Sequence, residues 1–454
     1  MFEALLVANR GEIARRVIRT AQRMGVKAVA VHSEADADLP YVAEADEALL
    51  IGPAPPAQSY LDAAKLLEAA RTSGVEAIHP GYGFLAENAD FARQVQDAGL
   101  TWVGPGASAI DAMGDKINAR NLMADAGVPV AAGTTEPVED ADAAVRAATD
   151  IGYPLMVKAA AGGGGIGMGV ARDEDGLRKA FDTARSRAER FFGNPAIMLE
   201  RYVEHARHVE VQILGLAEDR VVALGERDCS VQRRHQKVAE ETPSPGVTSH
   251  LRERMLAAAV RAGEAVGYVG AGTVECLVDA AAQDFSFLEM NTRLQVEHPI
   301  TEMVTGLDLV ELQLRIAAGE DVASEVTAVA PRGHAIELRV YAEDPVRFLP
   351  SPGTITSWQE PTGEGVRVDA GYAADNTVTA HYDPLLAKLV THGDDRESAL
   401  DRAREAVAAF DITGLKTNLP FFTELLDTPA FVSGEYDTGL IDAMRAAATG
   451  GDRA

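Results

Sequence analysis

The stretch ALLVANRGEIARRVIRTAQRMGVKAVAV, residues 4–31, decides the fold class of the first part of the chain. Its ends are short apolar runs suited to buried strands, and between them Ile13, Val17, Ala21 and Met24 fall on one face at helical spacing. This is a βαβ unit. Downstream, EALLI (47–51), a helix from about Tyr60 to Thr72, EAIH (76–79), a helix around Ala89 to Asp97, and TWVG (101–104) continue the alternation. Such alternation predicts a parallel sheet covered by helices. Ligands of these sheets gather at the carboxyl ends of strands, where ANRGE (8–12) and HPGYGFLAEN (79–88) fall. NRGE is not a GxGxxG fingerprint, so a dinucleotide site is not supported.

From about Asp115 the pattern changes. A helix, KINARNLMADAG, runs to Gly127-Val128-Pro129, and the strand LMVK (155–158) then opens into AAAGGGGIGMG (159–169). A helix, the strand IMLERYV (197–203), and neighbouring strands at HVEVQIL (208–214) and RVVALGE (220–226) follow, which is the order of a mixed α+β unit. The polar segment RDCSVQRRHQKVAEETPSPG (227–246) reads as a loop, and GTVECLVD (272–279) and FSFLEMNTRLQVEHP (285–299) read as strands with Pro299 as the stop. Pro331-Arg332-Gly333 is the expected boundary to a final unit of short strands and closing helices. The expected domains are therefore 1–112, 113–332 with a mobile lid at about 130–203, and 333–445.

With 454 residues the chain has room for about three domains. Its 42 Lys and Arg against 69 Asp and Glu give a net charge of −27, which argues against general binding of nucleic acid or of an anionic membrane. No run approaches the ~20 apolar residues of a membrane span, and the N-terminal residues lack the h-region of a signal peptide. Cys229 and Cys276 then read as reduced thiols and the cytoplasm as the expected compartment.

Two constellations carry chemistry. The glycine-dense run at 162–169 is too poor in side chains for a strand interior; its free N–H groups suit a flap over phosphate, with Lys158 supplying charge. It lacks the GKS or GKT ending of a Walker loop. In the second, Glu289, Asn291, Arg293, Gln295 and Glu297 alternate with apolar residues, so an extended segment would present carboxylate, amide, guanidinium, amide and carboxylate in one row. A row of that kind serves metal ligation, anion binding and base catalysis. Glu275 precedes Glu289 by a hairpin's length, and two such carboxylates call for a cation, for which Mg²⁺ shared with nucleotide phosphates is the hard-oxygen solution. No Cys/His quartet has zinc spacing and no GxSxG elbow is present.

LVANRGEIA, HPGYGFLAEN, KAAAGGGGIGM, ERDCSVQRRHQKVAEETP, GAGTVECL, EMNTRLQVEHPITE and RGHAIELRVYAEDP, in this order from Phe2 to about Leu440, resemble biotin carboxylase, an ATP-grasp ligase. The resemblance implies an N-terminal parallel α/β domain, an ATP-grasp domain with a glycine-rich lid, and a C-terminal mixed domain. By motif position it implies that ATP is bound by Lys116, Lys158, Gly163, Gly164, Gly165, Glu200 and Val203, with His208, Gln232 and His235 close by. Glu275, Glu289 and Asn291 would hold Mg²⁺ or Mn²⁺. Lys237, Arg293, Gln295 and Val296 would hold bicarbonate, with Glu297 its base, and Arg339, Tyr82 and Asp383 would face biotin. Lys237, Arg293, Glu297 and Arg339 form the implied catalytic set. Two departures stand out: Ile166 and Gly169 occupy positions that are basic in many relatives, so the lid lacks that charge, and Arg201 stands where some relatives have Lys.

No AMKM biotin-attachment stretch and no carboxyltransferase-sized extension appear, so the biotin is expected on a separate biotin carboxyl carrier protein that serves a carboxyltransferase subunit. The resemblance also implies a homodimer with Arg19 and Arg367 at the interface. An ATP-grasp ligase that carboxylates an amine and a non-catalytic nucleotide-binding subunit are the competing readings. RRHQK and EMNTRLQVEHP disfavour the first, and the intact Lys237, Arg293, Glu297 and Arg339 disfavour the second.

Overall fold

The structure, a computed structural model, describes residues 1–160 and 168–450. Strands β1 (Ala4–Val7), β2 (Lys27–Ser33), β3 (Glu47–Gly52), β4 (Ala77–His79) and β5 (Thr101–Trp102) form a parallel sheet in the order β3-β2-β1-β4-β5. Helix α1 (Gly11–Arg23) lies on it and buries Ile13, Ala14, Val17, Ile18 and Ala21, each full-sized aliphatic contributing about 1.5–3 kcal/mol. Strand order reverses between β1 and β4, which opens a crevice beyond their carboxyl ends. The two loops there are tied by Asn9, whose Nδ2 donates to the carbonyls of Pro80 at 2.6 Å and Tyr82 at 2.8 Å. Gly81, at φ 63°, has no room for a side chain, since a Cβ would come within 2.8 Å of that amide nitrogen.

After the helix Lys116–Asp125, capped by the Asp115 side chain, β6 (Leu155–Ala159), β7 (Gly169–Ala171) and β8 (Ile197–Arg201) form a small antiparallel sheet. Leu177, Phe181 and Ala184 of the helix Glu174–Phe192 back it. The largest sheet is antiparallel and holds β9 (Arg207–Gly215), β10 (Val221–Arg233), β11 (Gln236–Thr242), β12 (Gly270–Asp279), β13 (Asp284–Asn291) and β14 (His334–Tyr341). Among the described residues its order is β13-β12-β9-β10-β11-β14, extended by the strands Leu385–Gly393 and Val366–Ala370. The fold class is thus parallel α/β followed by mixed α+β. The boundary expected at Pro331–Gly333 falls between strands of this one sheet, because β14 pairs with β11 through residues 239–242.

Two expectations are corrected. Residues 227–242 form no loop: β10 and β11 make a hairpin that turns at Arg234 and His235, at φ 50° and 67°. Its polar composition misleads because Arg227, Asp228, Glu240 and Glu241 are buried and answered by one another's neighbours rather than by water. The segment 289–297 is not one strand either. β13 ends at Asn291, the chain bends, and Glu297 heads the helix His298–Thr305, in whose first turn Pro299 sits as a helix starter rather than a stop.

Glu241 fastens the hairpin to the C-terminal elements. Its carboxylate accepts from His334 Nε2 at 2.6 Å, Arg396 Nε at 2.7 Å and the Tyr436 hydroxyl at 2.5 Å. Burial would raise its pKa, but His334 and Arg396 outweigh burial and hold the carboxyl at about 2 instead of 4.5. A depressed carboxyl stabilises the fold fully above its ordinary pKa and ceases to do so as pH falls through the lowered value. This contribution should therefore persist at neutral pH and fade between pH 4.5 and about 2. Glu241→Gln should cost about 3–5 kcal/mol in denaturant unfolding at pH 7, the cost of stranding a buried partner, and the difference from wild type should shrink in acid.

Candidate active site

A cleft of about 1540 Å³ lies between the crevice of the parallel sheet, the small antiparallel sheet and the face of the large one. Lys116, Lys158, Glu200, Val203, His208, Gln232, His235, Lys237, Glu275, Glu289, Asn291, Arg293, Gln295, Val296, Arg339, Tyr82 and Asp383 all line it. Residues more than 200 positions apart in the chain are thereby gathered on one surface. Gly163, Gly164, Gly165 and Ile166 lie outside the described residues. Gly169 begins β7, and Arg201, at the end of β8, is exposed. Arg19 pairs with Glu44 at the surface, while Arg367 pairs with Glu302 and Asp369, each at 2.7 Å. Cys229 and Cys276 are both buried and unbridged.

Lys237 is the hub of the cleft. Its ammonium has three protons, and its Nζ reaches three carboxylates: Glu210 Oε2 at 2.5 Å, Glu275 Oε1 at 2.8 Å and Glu297 Oε1 at 2.6 Å. Burial opposes this charge, but the carboxylates of Glu210, Glu275 and Glu297 overcome it and raise the lysine pKa well above its ordinary value. Arg227, fully buried, braces the far oxygen of Glu210 at 2.6 Å and reaches Gln212, Thr273 and Thr301. His208 Nε2 lies 2.8 Å from Glu275 Oε2, and Gln295 donates to Glu275 Oε1 at 2.9 Å.

Glu297 itself is fully buried, behind the residues that line the cleft. One oxygen meets Lys237; the other takes Arg339 at 2.9 Å, and the same guanidinium reaches Glu240 at 2.5 Å. Burial would raise its pKa, yet Lys237, Arg339 and Arg227 together hold it well below the carboxylate range. Glu240 is pushed the other way, up to about 7, by burial that Arg339 only partly offsets and by the nearby charge of Glu297. Arg293 is aimed by Glu87 at 2.8 Å, Gln295 at 2.9 Å and Asn291 at 3.0 Å.

Glu87, Glu210, Arg227 and Glu240 were not singled out from the sequence. Glu210 had a signal, since alternation along HVEVQIL puts it on one face with His208 and Gln212. Glu87 lies in HPGYGFLAEN and Arg227 and Glu240 in ERDCSVQRRHQKVAEETP, but only tertiary register pairs them with their partners.

The carboxylate pair meets as expected. Glu275 and Glu289 stand opposite each other across β12 and β13, and a bulge follows Glu275. Glu275 is already answered by Lys237 and His208, which hold its pKa low against burial. Glu289 accepts no hydrogen bond from any described residue, and burial and the charge of Glu275 raise its pKa. The Asn291 Nδ2 is likewise without a partner. That amide N–H cannot ligate a metal, but the two free oxygens of Glu289, with their charge beside Glu275, fit a divalent cation such as Mg²⁺. Two other sets, His208 with Glu210 and Glu275, and Glu210 with Cys229 and Glu297, bring potential ligand atoms within 4.8 Å of one another, but Lys237 already serves the carboxylates of both.

On the opposite wall Lys158 pairs with Glu200, with the Arg120 guanidinium 3.8 Å from the same carboxylate. That pairing joins β6 to β8. Glu289→Gln should therefore stabilise the unliganded protein by on the order of 1 kcal/mol, by removing an unanswered like charge. The same change should erase the extra rise in melting temperature that Mg²⁺ gives over ADP alone, read by thermal shift with and without a chelator.

Family models match along most of the chain: Biotin carboxylase, N-terminal domain over 1–110; Carbamoyl-phosphate synthase L chain, ATP binding domain over 115–325; and Biotin carboxylase C-terminal domain over 337–443. Biotin carboxylase 2 of Bacillus subtilis (strain 168) is 49% identical over 441 residues, which cover 97% of this chain and 99% of that one. A solved biotin carboxylase complex from Campylobacter jejuni superposes with a TM-score of 0.95 at 42% identity, covering 98% of this chain and 99% of that one. The biotin carboxylase domain dimer of Hydrogenobacter thermophilus 2-oxoglutarate carboxylase, in complex with MgADP, ADP and bicarbonate, gives 0.94 at 42% identity and covers 98% of each chain. Identity at this level over nearly the whole length, together with the same fold, places the chain in the biotin carboxylase family.

Proposed function

We propose that the cleft carboxylates biotin at the expense of ATP and bicarbonate, and that the observation carrying this reading is the Lys237–Glu297–Arg339 contact set beside the Glu275–Glu289 pair. ATP would lie between the Lys158–Glu200 wall and the large sheet, its phosphates toward Lys116 and Lys158, with Val203, His208, Gln232 and His235 around it. Mg²⁺ held by Glu275, Glu289 and Asn291 would bridge and neutralise those phosphates. Bicarbonate would take Arg293, Gln295, Val296 and Lys237, all of which line the cleft.

The low pKa of Glu297 keeps it ionised at neutral pH, so it is ready to accept a proton, but it is a weak base while two cations hold it. A bicarbonate anion entering against Lys237 and Arg339 competes for the same cations. Each contact it draws away raises the basicity of Glu297 at the moment a proton must be taken. The bicarbonate oxygen then attacks the γ-phosphorus, its proton passes to Glu297, and the bond to ADP breaks, giving carboxyphosphate while Lys158 and Lys237 absorb the developing charge. Carboxyphosphate separates into CO₂ and phosphate, the phosphate takes the ureido N–H proton of biotin, and that nitrogen bonds to CO₂. Arg339 would stabilise the ureido oxygen as it gains charge, with Tyr82 and Asp383 also lining the cleft. We further propose that the biotin sits on a carrier protein serving a carboxyltransferase, and that the chain works as a homodimer; the Hydrogenobacter domain dimer supports the latter. No helix among the described residues is long and apolar enough to cross a membrane.

ATP cleavage should require bicarbonate and rise when free biotin or a biotinylated carrier is added. Turnover that ignores bicarbonate, or that an amine stimulates and biotin does not, would contradict the reading. Glu297→Gln should lower turnover by about 10²-fold or more, the usual contribution of a general base, with ADP affinity kept within about twofold. An equal loss of nucleotide affinity would deny it the role of base.

A further inference from the structure

Lys388 sits in mid-strand within Leu385–Gly393, paired with Arg339 of β14 on one side and Asp369 on the other. It is fully buried and does not line the cleft. Its Nζ donates to the carbonyl of Val296 at 3.0 Å, and stands 3.0 Å from Glu12 Oε2 and 3.8 Å from Asp369 Oδ2. Asp369 in turn holds Arg367. Stability alone gives little reason for a charge here, because well-packed apolar residues in place of a buried ion pair are often as stable or more so.

Two of its contacts lead into the cleft. Glu12 lines it, and its other oxygen accepts from the hydroxyl of Tyr82. Val296 lines it too and is joined to Glu297 by one peptide, which is planar, so a donor that fixes the Val296 carbonyl also fixes the direction in which the chain enters Glu297. Between the end of β13 at Asn291 and the helix start at His298 the side chains of Arg293, Gln295 and Glu297 are held by Glu87, Glu275, Lys237 and Arg339, whereas the Val296 carbonyl is held by Lys388.

We propose that Lys388 is a positioning residue for the bicarbonate-activating turn: through the Val296 carbonyl it holds Val296 and Glu297 against Lys237 and Arg339, and through Glu12 it ties that turn to Tyr82. This rests on the function proposed above. The full chain should be compared as wild type, Lys388→Met and the double variant Lys388→Met/Asp369→Asn, which also lowers the negative charge left around the substituted side chain.

Bicarbonate saturation of ATP turnover in the wild type is scored first; its absence defeats the proposed function and this assignment with it. With saturation in hand, both variants should raise the bicarbonate KM about tenfold or more, the usual cost of removing a group that orients a ligand-holding residue. ADP affinity should stay within about twofold of wild type. A wild-type bicarbonate KM in either folded variant, or an equal loss of ADP affinity, overturns the proposal. Failure of both variants to fold also overturns it, by assigning Lys388 to the fold alone.

Discussion

One ammonium group organises this molecule. Lys237 stands among Glu210, Glu275 and Glu297, carboxylates that arrive from β9, from β12 and from the head of the helix His298–Thr305. Without it three buried negative charges would face one another, and breaking even a single buried pair costs about 3–5 kcal/mol. The same arrangement underlies the proposed chemistry. A cation already bonded to three carboxylates can exchange one of them for an incoming anion without leaving its place, and the carboxylate it releases becomes the stronger base.

The large sheet makes that centre possible by running across what the sequence divides into separate units. β11 carries Lys237 and Glu240, β14 carries Arg339, and the strand beyond β14 carries Lys388. Consecutive strands therefore lay a row of charges beneath the helix that Glu297 heads. The parallel sheet contributes the opposite rim, where Asn9 ties the loops after β1 and β4 and brings Tyr82 to Glu12. The overall charge of −27 is thus compatible with the proposed anion site, because cations are gathered there and held by acids that fold around them.

Much of this was legible in the amino-acid order. The alternation of 4–31 specifies β1, α1 and β2, since buried parallel strands and an amphipathic helix have distinct periods. Blocks such as EMNTRLQVEHPITE, through their resemblance, name residues that the structure gathers on one cleft. The hairpin at 221–242 was not legible, because its charged side chains are inside and satisfied there, so composition reads as loop. The end of β13 at Asn291 was missed for a related reason: the polar alternation continues past it, while the backbone turns to place Arg293 against Glu87 and Glu297 at a helix start. Arg227, Glu240 and Lys388 depend on partners far away in the chain, and those pairings leave no local trace.

The central claim is that Lys237 and Glu297 turn bicarbonate into the nucleophile that attacks ATP. Turnover in ¹⁸O-bicarbonate tests it most directly, with the phosphate product analysed by mass spectrometry before exchange with water is complete. The mechanism predicts one bicarbonate oxygen in each phosphate released. Phosphate that draws its new oxygen from water alone would contradict it.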